Sequence, residues 1–148
     1  MKKLLPPILF ILCAVVMGLA CWLTGSEHNI LYPYNLIGLI FLVTGLGMAS
    51  WGSRLFHKLE TNIMTFGEPG RLVTEGLYKY SRNPMYLGFV IATFGIAILY
   101  QGSVLVFIIA FLFLVVTDRW YIRFEERAML DKFGAEYEDY CQRTRRWI

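Results

Sequence analysis

Four apolar stretches, separated by polar segments, dominate the pattern of this chain. Each is about as long as the run of residues that a helix needs to cross a bilayer. The stretches cover residues 4–24, 30–51, 84–100 and 103–121. A polar segment at 53–83 precedes the third stretch, and a polar, aromatic tail at 122–148 follows the fourth. The pattern predicts an all-α integral membrane protein of one domain, with four transmembrane helices and a cytoplasmic amphipathic C-terminal helix.

Glycines recur along the second apolar stretch, at Gly38, Gly45, Gly47 and Gly52. Small residues let membrane helices approach each other closely, so packing against a neighbouring helix is their expected role. Close approach of a ligand is the alternative.

The composition agrees with a membrane location. Hydrophobic residues make up 57% of the chain and charged residues only 17%, against about 25% charged in soluble domains. Of the 14 Lys and Arg residues, two precede the first stretch, five lie in the polar segment and seven follow Thr117. The positive-inside rule then places both termini in the cytoplasm, with the protein in an inner or plasma membrane.

The formal net charge of +3 does not require a nucleic-acid partner. Three arginines lie close together in the tail, Arg143, Arg145 and Arg146. We expect anionic lipid of the inner leaflet to be their partner, because these residues follow a transmembrane helix on its cytoplasmic side.

Lys2 and Lys3, which precede the first apolar stretch, also fit the start of a signal peptide. The stretch is long for the apolar region of such a peptide. The sequence before Cys21 also lacks the leucine expected three residues ahead of a lipoprotein cysteine. We therefore expect the first stretch to remain as a transmembrane helix.

The transition from the polar segment to the third stretch is the candidate binding site. Asn83 is a good N-cap and Pro84 suits the first helical position, so a helix should begin here. Its positive dipole end, with Arg82 beside it, favours a carboxylate or a phosphate. Three tyrosines offer aromatic faces to a cation: Tyr78, Tyr80 and Tyr86. A zwitterionic ligand fits this combination, although the same pattern also anchors ordinary membrane helices at the lipid interface.

Two glutamates of the tail return to the same region by helix geometry. The third and fourth helices are antiparallel, so the level of Pro84 recurs near Trp120. Glu125 and Glu126 then lie about 8–9 Å closer to the cytoplasm, within reach of a nucleoside-sized ligand. A glutamate there could accept hydrogen bonds from a ribose or an amino group. The alternative is a solvated cluster with the helical neighbours Arg119, Arg123 and Arg127.

His28 and His57 are single histidines, without the Cys, His or carboxylate neighbours that a metal site needs. We therefore expect no metal site. The sequence does not indicate an oligomeric state.

Several motifs resemble those of the isoprenylcysteine carboxyl methyltransferases and their phospholipid methyltransferase relatives. They are Arg82-Asn83-Pro84-Met85-Tyr86-Leu87-Gly88, Glu125-Glu126, and Phe133-Gly134-Ala135-Glu136-Tyr137 with Tyr140. The resemblance covers roughly the last 80 residues. It implies binding of S-adenosylmethionine at the cytoplasmic face and methylation of a lipid-linked or membrane-embedded acceptor, which could be a carboxylate, an amine or a thiol.

The resemblance also assigns cofactor contacts by position. These are Leu72, Val73, Tyr78, Asn83, Pro84, Met85, Tyr86 and Glu125. We add Arg82 as a ninth cofactor contact, because its positive charge lies beside the start of the helix. Glu126 is the candidate base for an amine acceptor, whereas a carboxylate or thiolate acceptor needs none.

Two positions depart from the family pattern. Asn83 stands where the carboxyl methyltransferases have histidine, and Tyr121 where they carry a substrate-contacting arginine. Arg119 and Arg123 lie on adjacent turns, so both become candidate catalytic residues that contact the substrate.

Two other functions stay open. A membrane reductase of the sterol type, which uses a nicotinamide cofactor, has a related tail but normally contains several more helices. A small four-helix transporter would need an ionisable residue within its apolar helices. The stretches Leu4 to Thr24, Ile30 to Trp51 and Pro84 to Thr117 contain none.

Overall fold

The computed structural model describes residues 4–25, 29–61 and 70–148, and in these ranges the regular structure is helical. Six α-helices follow one another: α1 (Pro6–Thr24), α2 (Ile37–Lys58), α3 (Pro84–Leu99), α4 (Val104–Val116), α5 (Arg123–Phe133) and α6 (Ala135–Arg143). The predicted all-α class is confirmed. Lys2, Lys3 and His28 lie outside the described residues, as does part of the polar segment.

Among the described residues, three helices are long and apolar enough to cross a membrane. They are α1, the 25 residues Tyr34–Lys58 that contain α2, and the 30 residues Val104–Phe133. Helix α3 is also apolar but has only 16 residues, which span about 24 Å at 1.5 Å per residue. The chain is therefore a multi-pass membrane protein in which all four predicted apolar stretches form helices.

Helix α2 begins at Ile37, later than the predicted residue 30. The preceding residues form a turn at the end of the helical bundle that lies opposite the loop before α3. Within this turn, the side-chain amide of Asn29 donates to the carbonyl of Gly102 at 3.1 Å. The amide of Asn35 donates to the carbonyl of Leu99 at 3.2 Å. These side chains satisfy one backbone carbonyl in the last residue of α3 and one in the turn after it, so the chain before Ile37 forms this turn rather than two further turns of α2.

Helix α2 also ends later than predicted, at Lys58 rather than at residue 51. The polar residues of this extension include His57 and Lys58 in its last turn. Positive charge near a helix C-terminus interacts favourably with the helix dipole, which helps the helix to continue beyond the apolar stretch.

Helices α2 and α3 pack closely through glycines. A Cβ atom added to Gly45 would lie 2.4 Å from the carbonyl oxygen of Gly88, and one added to Gly38 would lie 2.4 Å from that of Gly95. At Gly47 an added Cβ would meet nothing within 4 Å. Helix packing therefore explains Gly38 and Gly45, as predicted, but not Gly47.

The fourth helix does not end at residue 121. Helices α4 and α5 are continuous through a π turn at Thr117–Ile122. A π turn absorbs one extra residue and so rotates the following residues by about 100° relative to an uninterrupted α-helix. Asp118 and Glu126 consequently share one face, and both contact Arg146. Glu125 lies about a third of a turn away.

Helix α1 packs against α3 and α4. The ring of Phe10 contacts Phe89 and Phe113, with centroid separations of 5.5 and 6.3 Å. At the start of α1, the hydroxyl of Tyr121 donates to the carbonyl of Leu4 at 2.8 Å. The first helix is thus fixed at the same end of the bundle as the loop before α3.

The tail folds back onto that loop. Gly134, with a φ of 49°, ends α5 and redirects the chain into α6. On α6, Tyr137 and Tyr140 pack against Leu72, and the hydroxyl of Tyr140 donates to the carbonyl of Tyr78 at 2.6 Å. The part of the loop that contains Leu72 and Tyr78 is therefore fixed against α6.

Candidate active site

A cavity of about 280 Å³ lies where the loop before α3 meets α5 and α6. Its apolar lining comes from several elements and comprises Leu5, Pro6, Pro7, Phe56, Leu72, Val73, Met85, Phe89 and Met129. Its polar lining comprises Tyr78, Arg82, Asn83, Tyr86, Glu125, Glu126, Tyr137 and Tyr140. An apolar pocket with a few convergent polar groups is typical of a site for a small molecule.

Glu125 and Tyr86 connect the two helices that meet at the cavity. Tyr86 lies in the first turn of α3, and its hydroxyl donates to Oε1 of Glu125 at 2.6 Å. The Tyr86 ring also stacks on Tyr121, with the centroids 6.2 Å apart. Tyr86 is buried and Glu125 partly buried. A carboxylate is thus fixed in the cavity wall, beside an aromatic ring.

Glu126 accepts hydrogen bonds from two arginines. Arg82 Nη2 lies 2.9 Å from its Oε1, and Arg146 binds both of its oxygens, through Nε at 3.1 Å and through Nη2. The side chains of Arg82 and Glu126 are only 13% and 17% exposed. Burial lowers the pKa of Arg82, but the hydrogen bond and charge of Glu126 outweigh it and raise that pKa overall. The hydrogen bond to Glu126 likewise raises the pKa of Arg146, so both guanidinium groups stay charged.

Tyr78 presents a buried aromatic side chain to the cavity. Its ring packs edge-on against Phe56, with centroids 5.4 Å apart. Burial raises the pKa of its phenol, and the negative charge of Glu125 raises it further. Burial also raises the pKa of Tyr140, although the charge of Arg82 opposes the rise. Both phenols therefore stay neutral and present uncharged aromatic rings to a ligand.

The structure brings together most of the residues that the sequence singled out. Eight of the nine expected cofactor contacts line the cavity, namely Leu72, Val73, Tyr78, Arg82, Asn83, Met85, Tyr86 and Glu125. Glu126 lines it as well. Pro84 is buried at the first position of α3 and is not part of the lining. Tyr80 is 75% exposed and also lies outside the lining, so it is not one of the tyrosines around the cavity.

Asn83 occupies the N-cap position of α3, as predicted, but its side chain makes no capping hydrogen bond. Its backbone N–H donates to the hydroxyl of Ser81 at 3.1 Å, and its side-chain amide donates to the carbonyl of Arg146 at 3.1 Å. The amide is directed to the C-terminal residues because they pass directly beside the start of α3.

Arg119 and Arg123, the expected substrate contacts, do not line the cavity. The side chain of Arg119 is 66% exposed and lies 3.6 Å from Asp118. Arg123 is exposed and borders a second, wider groove that shares Arg82 and Glu126 with the cavity. Arg123 lies about 200° around α5 from Glu125, so it faces away from the cavity that Glu125 lines. The positive charges that flank Glu126 come from other elements, through Arg82 and Arg146.

The sequence assigned Arg146 to lipid, and this prediction is wrong. Its guanidinium group pairs with Glu126 and, at 3.4 Å, with Asp118. Arg143 pairs with Asp139 on the surface of α6. In an uninterrupted α-helix Asp118 and Glu126 would lie about 80° apart, and the π turn, which the sequence did not indicate, places both acids on one face.

Sequence reasoning also gave no site role to Tyr137 and Tyr140, although both were part of the motif that carried the resemblance. Their spacing of three residues puts them on one face of α6, and that face closes the cavity. Leu5 and Pro7 at the start of α1 also line the cavity, and no sequence signal distinguished them from other apolar residues.

The arrangement suits an organic ligand that carries both signs of charge. The positive end of α3 and Arg82 favour an anionic group. Glu125 and the rings of Tyr78 and Tyr86 favour a cationic group. Across the described ranges, no group of three or more His, Cys, Asp or Glu side chains is placed to hold a metal ion.

Comparison with known proteins yields a family match. Residues 34–136, more than half of the chain, match the phospholipid methyltransferase family. No solved structure matches the chain significantly.

Several curated proteins are similar to this chain over part of their length. Methanethiol S-methyltransferase 1 of Bradyrhizobium diazoefficiens is 37% identical over 76 residues, which cover 51% of this chain and 25% of that protein. Protein-S-isoprenylcysteine O-methyltransferase B of Arabidopsis thaliana is 37% identical over 80 residues, which cover 52% of this chain and 39% of that protein. A probable protein-S-isoprenylcysteine O-methyltransferase of Oryza sativa subsp. indica is 26% identical over 116 residues, which cover 73% of this chain and 57% of that protein. The matches thus span 25–57% of the length of these relatives.

Proposed function

Because the chain belongs to the phospholipid methyltransferase family, we propose that it transfers a methyl group from S-adenosylmethionine to a lipid-linked or membrane-embedded acceptor at the cytoplasmic face. The names of its relatives support this, since they act as an S-methyltransferase on methanethiol and as an O-methyltransferase on protein-S-isoprenylcysteine. The observation that carries the proposal is the cavity between the start of α3 and Glu125.

The donor and acceptor groups of the cavity fit S-adenosylmethionine. The methionine carboxylate of the cofactor matches the positive end of α3 and Nε of Arg82, a buried donor with no partner among the described residues. Its sulfonium group matches the faces of Tyr78 and Tyr86. Glu125 is placed to accept hydrogen bonds from the ribose hydroxyls. The volume of about 280 Å³ is at the small end for a ligand site, so a bound cofactor leaves no room for the acceptor inside the cavity. The acceptor therefore has to approach the methyl group through an opening of the cavity.

When bound, S-adenosylmethionine supplies an activated methyl group. Transfer needs the acceptor atom, the methyl carbon and the sulfur in line, and it needs water to be excluded. A lone pair of the acceptor forms the new bond to carbon, while the electrons of the carbon–sulfur bond return to sulfur. The buried rings of Tyr78 and Tyr86 and the apolar lining contribute alignment and dryness rather than acid or base chemistry.

Glu126 is better suited to positioning than to proton transfer. Both of its oxygens already accept hydrogen bonds from Arg82 or Arg146, so a role as base would require those bonds to break. We therefore assign it the task of holding Arg82 beside the cofactor. A carboxylate or thiolate acceptor, which has no proton to lose, fits such a site.

We place the entry of the acceptor on the lipid side, at the start of α1. Leu5 and Pro7 line the cavity and are also exposed on the outer surface of the bundle. In a bilayer, such exposed apolar side chains face lipid. An apolar acceptor thus reaches the methyl group without crossing a charged surface.

With α3 counted as a short crossing, the protein has four transmembrane helices. Both termini, the polar segment and the tail then lie in the cytoplasm, where the basic residues are concentrated. Arg145 is exposed in the tail, which leaves it as the arginine that contacts anionic lipid of the inner leaflet.

Calorimetry on the purified protein tests the proposal. We expect S-adenosylmethionine to bind in the micromolar range, about −8 kcal/mol, and NADPH to bind far more weakly. Binding of NADPH without binding of S-adenosylmethionine would contradict the proposal and favour a reductase of the sterol type.

A further inference from the structure

The last five residues, 144–148, lie outside the segment that matches the family, yet they contact the wall of the cavity. We call them the C-terminal strap. We propose that the strap is a positioning element of the active site, in which Arg146 holds Glu126, and Glu126 holds Arg82, in the arrangement that binds the cofactor. This inference rests on the proposed function.

The backbone of the strap pairs with the junction that leads into α3. The backbone N–H of Arg82 donates to the carbonyl of Arg145 at 2.9 Å. The Arg82 guanidinium donates to the carbonyl of Thr144 at 2.6 Å, and the amide of Asn83 donates to that of Arg146 at 3.1 Å. Two residues that line the cavity therefore take their conformations from the strap.

The side chains of the strap reach the other wall of the cavity. Arg146 donates to both oxygens of Glu126 and, at 3.4 Å, to Asp118. The indole N–H of Trp147 donates to the same Asp118 oxygen at 3.0 Å. The π turn makes this possible, because it brings Asp118 and Glu126 to one face of the helix.

Trp147 also anchors the strap in the apolar core. Its side chain packs against the cluster formed by Tyr86, Tyr121 and Ile122, and against the cluster that contains Phe10. The strap is consequently fixed to three helices of the bundle and does not extend from it as a free tail.

If the strap only stabilised the fold, its loss would not change cofactor affinity in folded protein. If the strap positions the site, that affinity should fall. Arg82 and Arg146 share the single charge of Glu126. Without Arg146, Glu126 keeps only its contact with Arg82, so the two side chains are no longer fixed in the arrangement that binds the cofactor, and cofactor affinity should fall even in fully folded protein. When Glu126 is neutral, the side chain of Arg146 keeps only its contact with Asp118, which does not line the cavity, so its loss should have no further effect on cofactor affinity.

The test measures S-adenosylmethionine affinity by calorimetry for the wild type, Arg146→Gln, Glu126→Gln and the double variant, well below their melting temperatures. We expect each single variant to bind about tenfold more weakly, and the double variant to match the weaker single variant. Arg146→Lys, which keeps the charge but loses the two-pronged contact, should recover part of the affinity.

Arg143→Gln is the matched control. Arg143 is an exposed arginine that pairs with Asp139 and lies just before the strap. Its affinity should stay within about twofold of wild type. Unchanged affinity in Arg146→Gln, an equal loss in Arg143→Gln, or losses that add to about a hundredfold in the double variant would each overturn the positioning role.

Failure of the proposed function gives a different result. If wild-type protein bound no S-adenosylmethionine, the melting temperatures of the same four proteins would still test whether Arg146 acts through Glu126. Equal shifts for both single variants, with no further shift in the double variant, would support the contact chain from Arg146 to Glu126. Additive shifts would refute it.

Discussion

The hydroxyl of Tyr86 donates to the carboxylate of Glu125 across 2.6 Å and so joins the first turn of α3 to the first turn of α5. Both residues line the cavity. A hydrogen bond is electrostatically stronger where water is partly excluded than it is in bulk water. The carboxylate is therefore oriented before a ligand enters, which lowers the cost of ordering the site on binding.

Replacing Tyr86 with Phe should remove this donor and leave the ring in place. We expect about 1–3 kcal/mol of lost stability and severalfold weaker binding of S-adenosylmethionine, since Glu125 loses its orienting partner. Thermal melting and calorimetry measure the two effects. Tyr80→Phe removes a hydroxyl from a residue that is 75% exposed and should change neither quantity. Identical results for the two variants would show that the contact between Tyr86 and Glu125 is unimportant.

The close packing of α2 on α3 predicts a large difference between two neighbouring glycines. Gly45→Ala places a methyl group 2.4 Å from the carbonyl oxygen of Gly88, a backbone atom that no side-chain rotation can move away. We expect destabilisation by about 1–3 kcal/mol, despite the better helix propensity of alanine. Gly47→Ala meets nothing within 4 Å and should be neutral or slightly stabilising. Equal melting temperatures for both variants would argue against the observed helix contact.

Several features of the fold followed from regular periods in the sequence. Apolar run lengths indicated the helices, and the equal rise of antiparallel helices indicated that Glu125 would approach the start of α3. Asn83 and Pro84 marked the first residue of that helix correctly.

Other features depended on interactions that no local pattern encodes. The π turn at Thr117–Ile122 adds one residue to a helix whose sequence shows no break, and this rotation brings Asp118 and Glu126 to the face that contacts Arg146. The guanidinium group of Arg146 pairs with Glu126, 20 positions away, so the partner of this charge could not be assigned from its sequence neighbours.

The distribution of basic residues predicts that both termini are cytoplasmic. A reporter enzyme that is active only outside the cytoplasm, fused after Ile148, should therefore give no signal. The same reporter inserted after Gly102, in the turn between α3 and α4, should be active, because that turn lies at the opposite end of the bundle. Activity of the fusion at Ile148 would rule out the arrangement with four crossings.

The most direct measurement is the affinity for S-adenosylmethionine of wild type, Glu125→Gln and Glu138→Gln in protein with matched melting behaviour. If Glu125 accepts hydrogen bonds from the cofactor, its replacement should weaken binding about tenfold or more, which corresponds to about 1.4 kcal/mol or more. Glu138, an exposed acid on α6 that does not line the cavity, should be replaceable at almost no cost. Micromolar binding by the wild type with a selective loss in Glu125→Gln is the predicted result. Equal affinity in all three proteins would contradict the placement of the cofactor between α3 and α5.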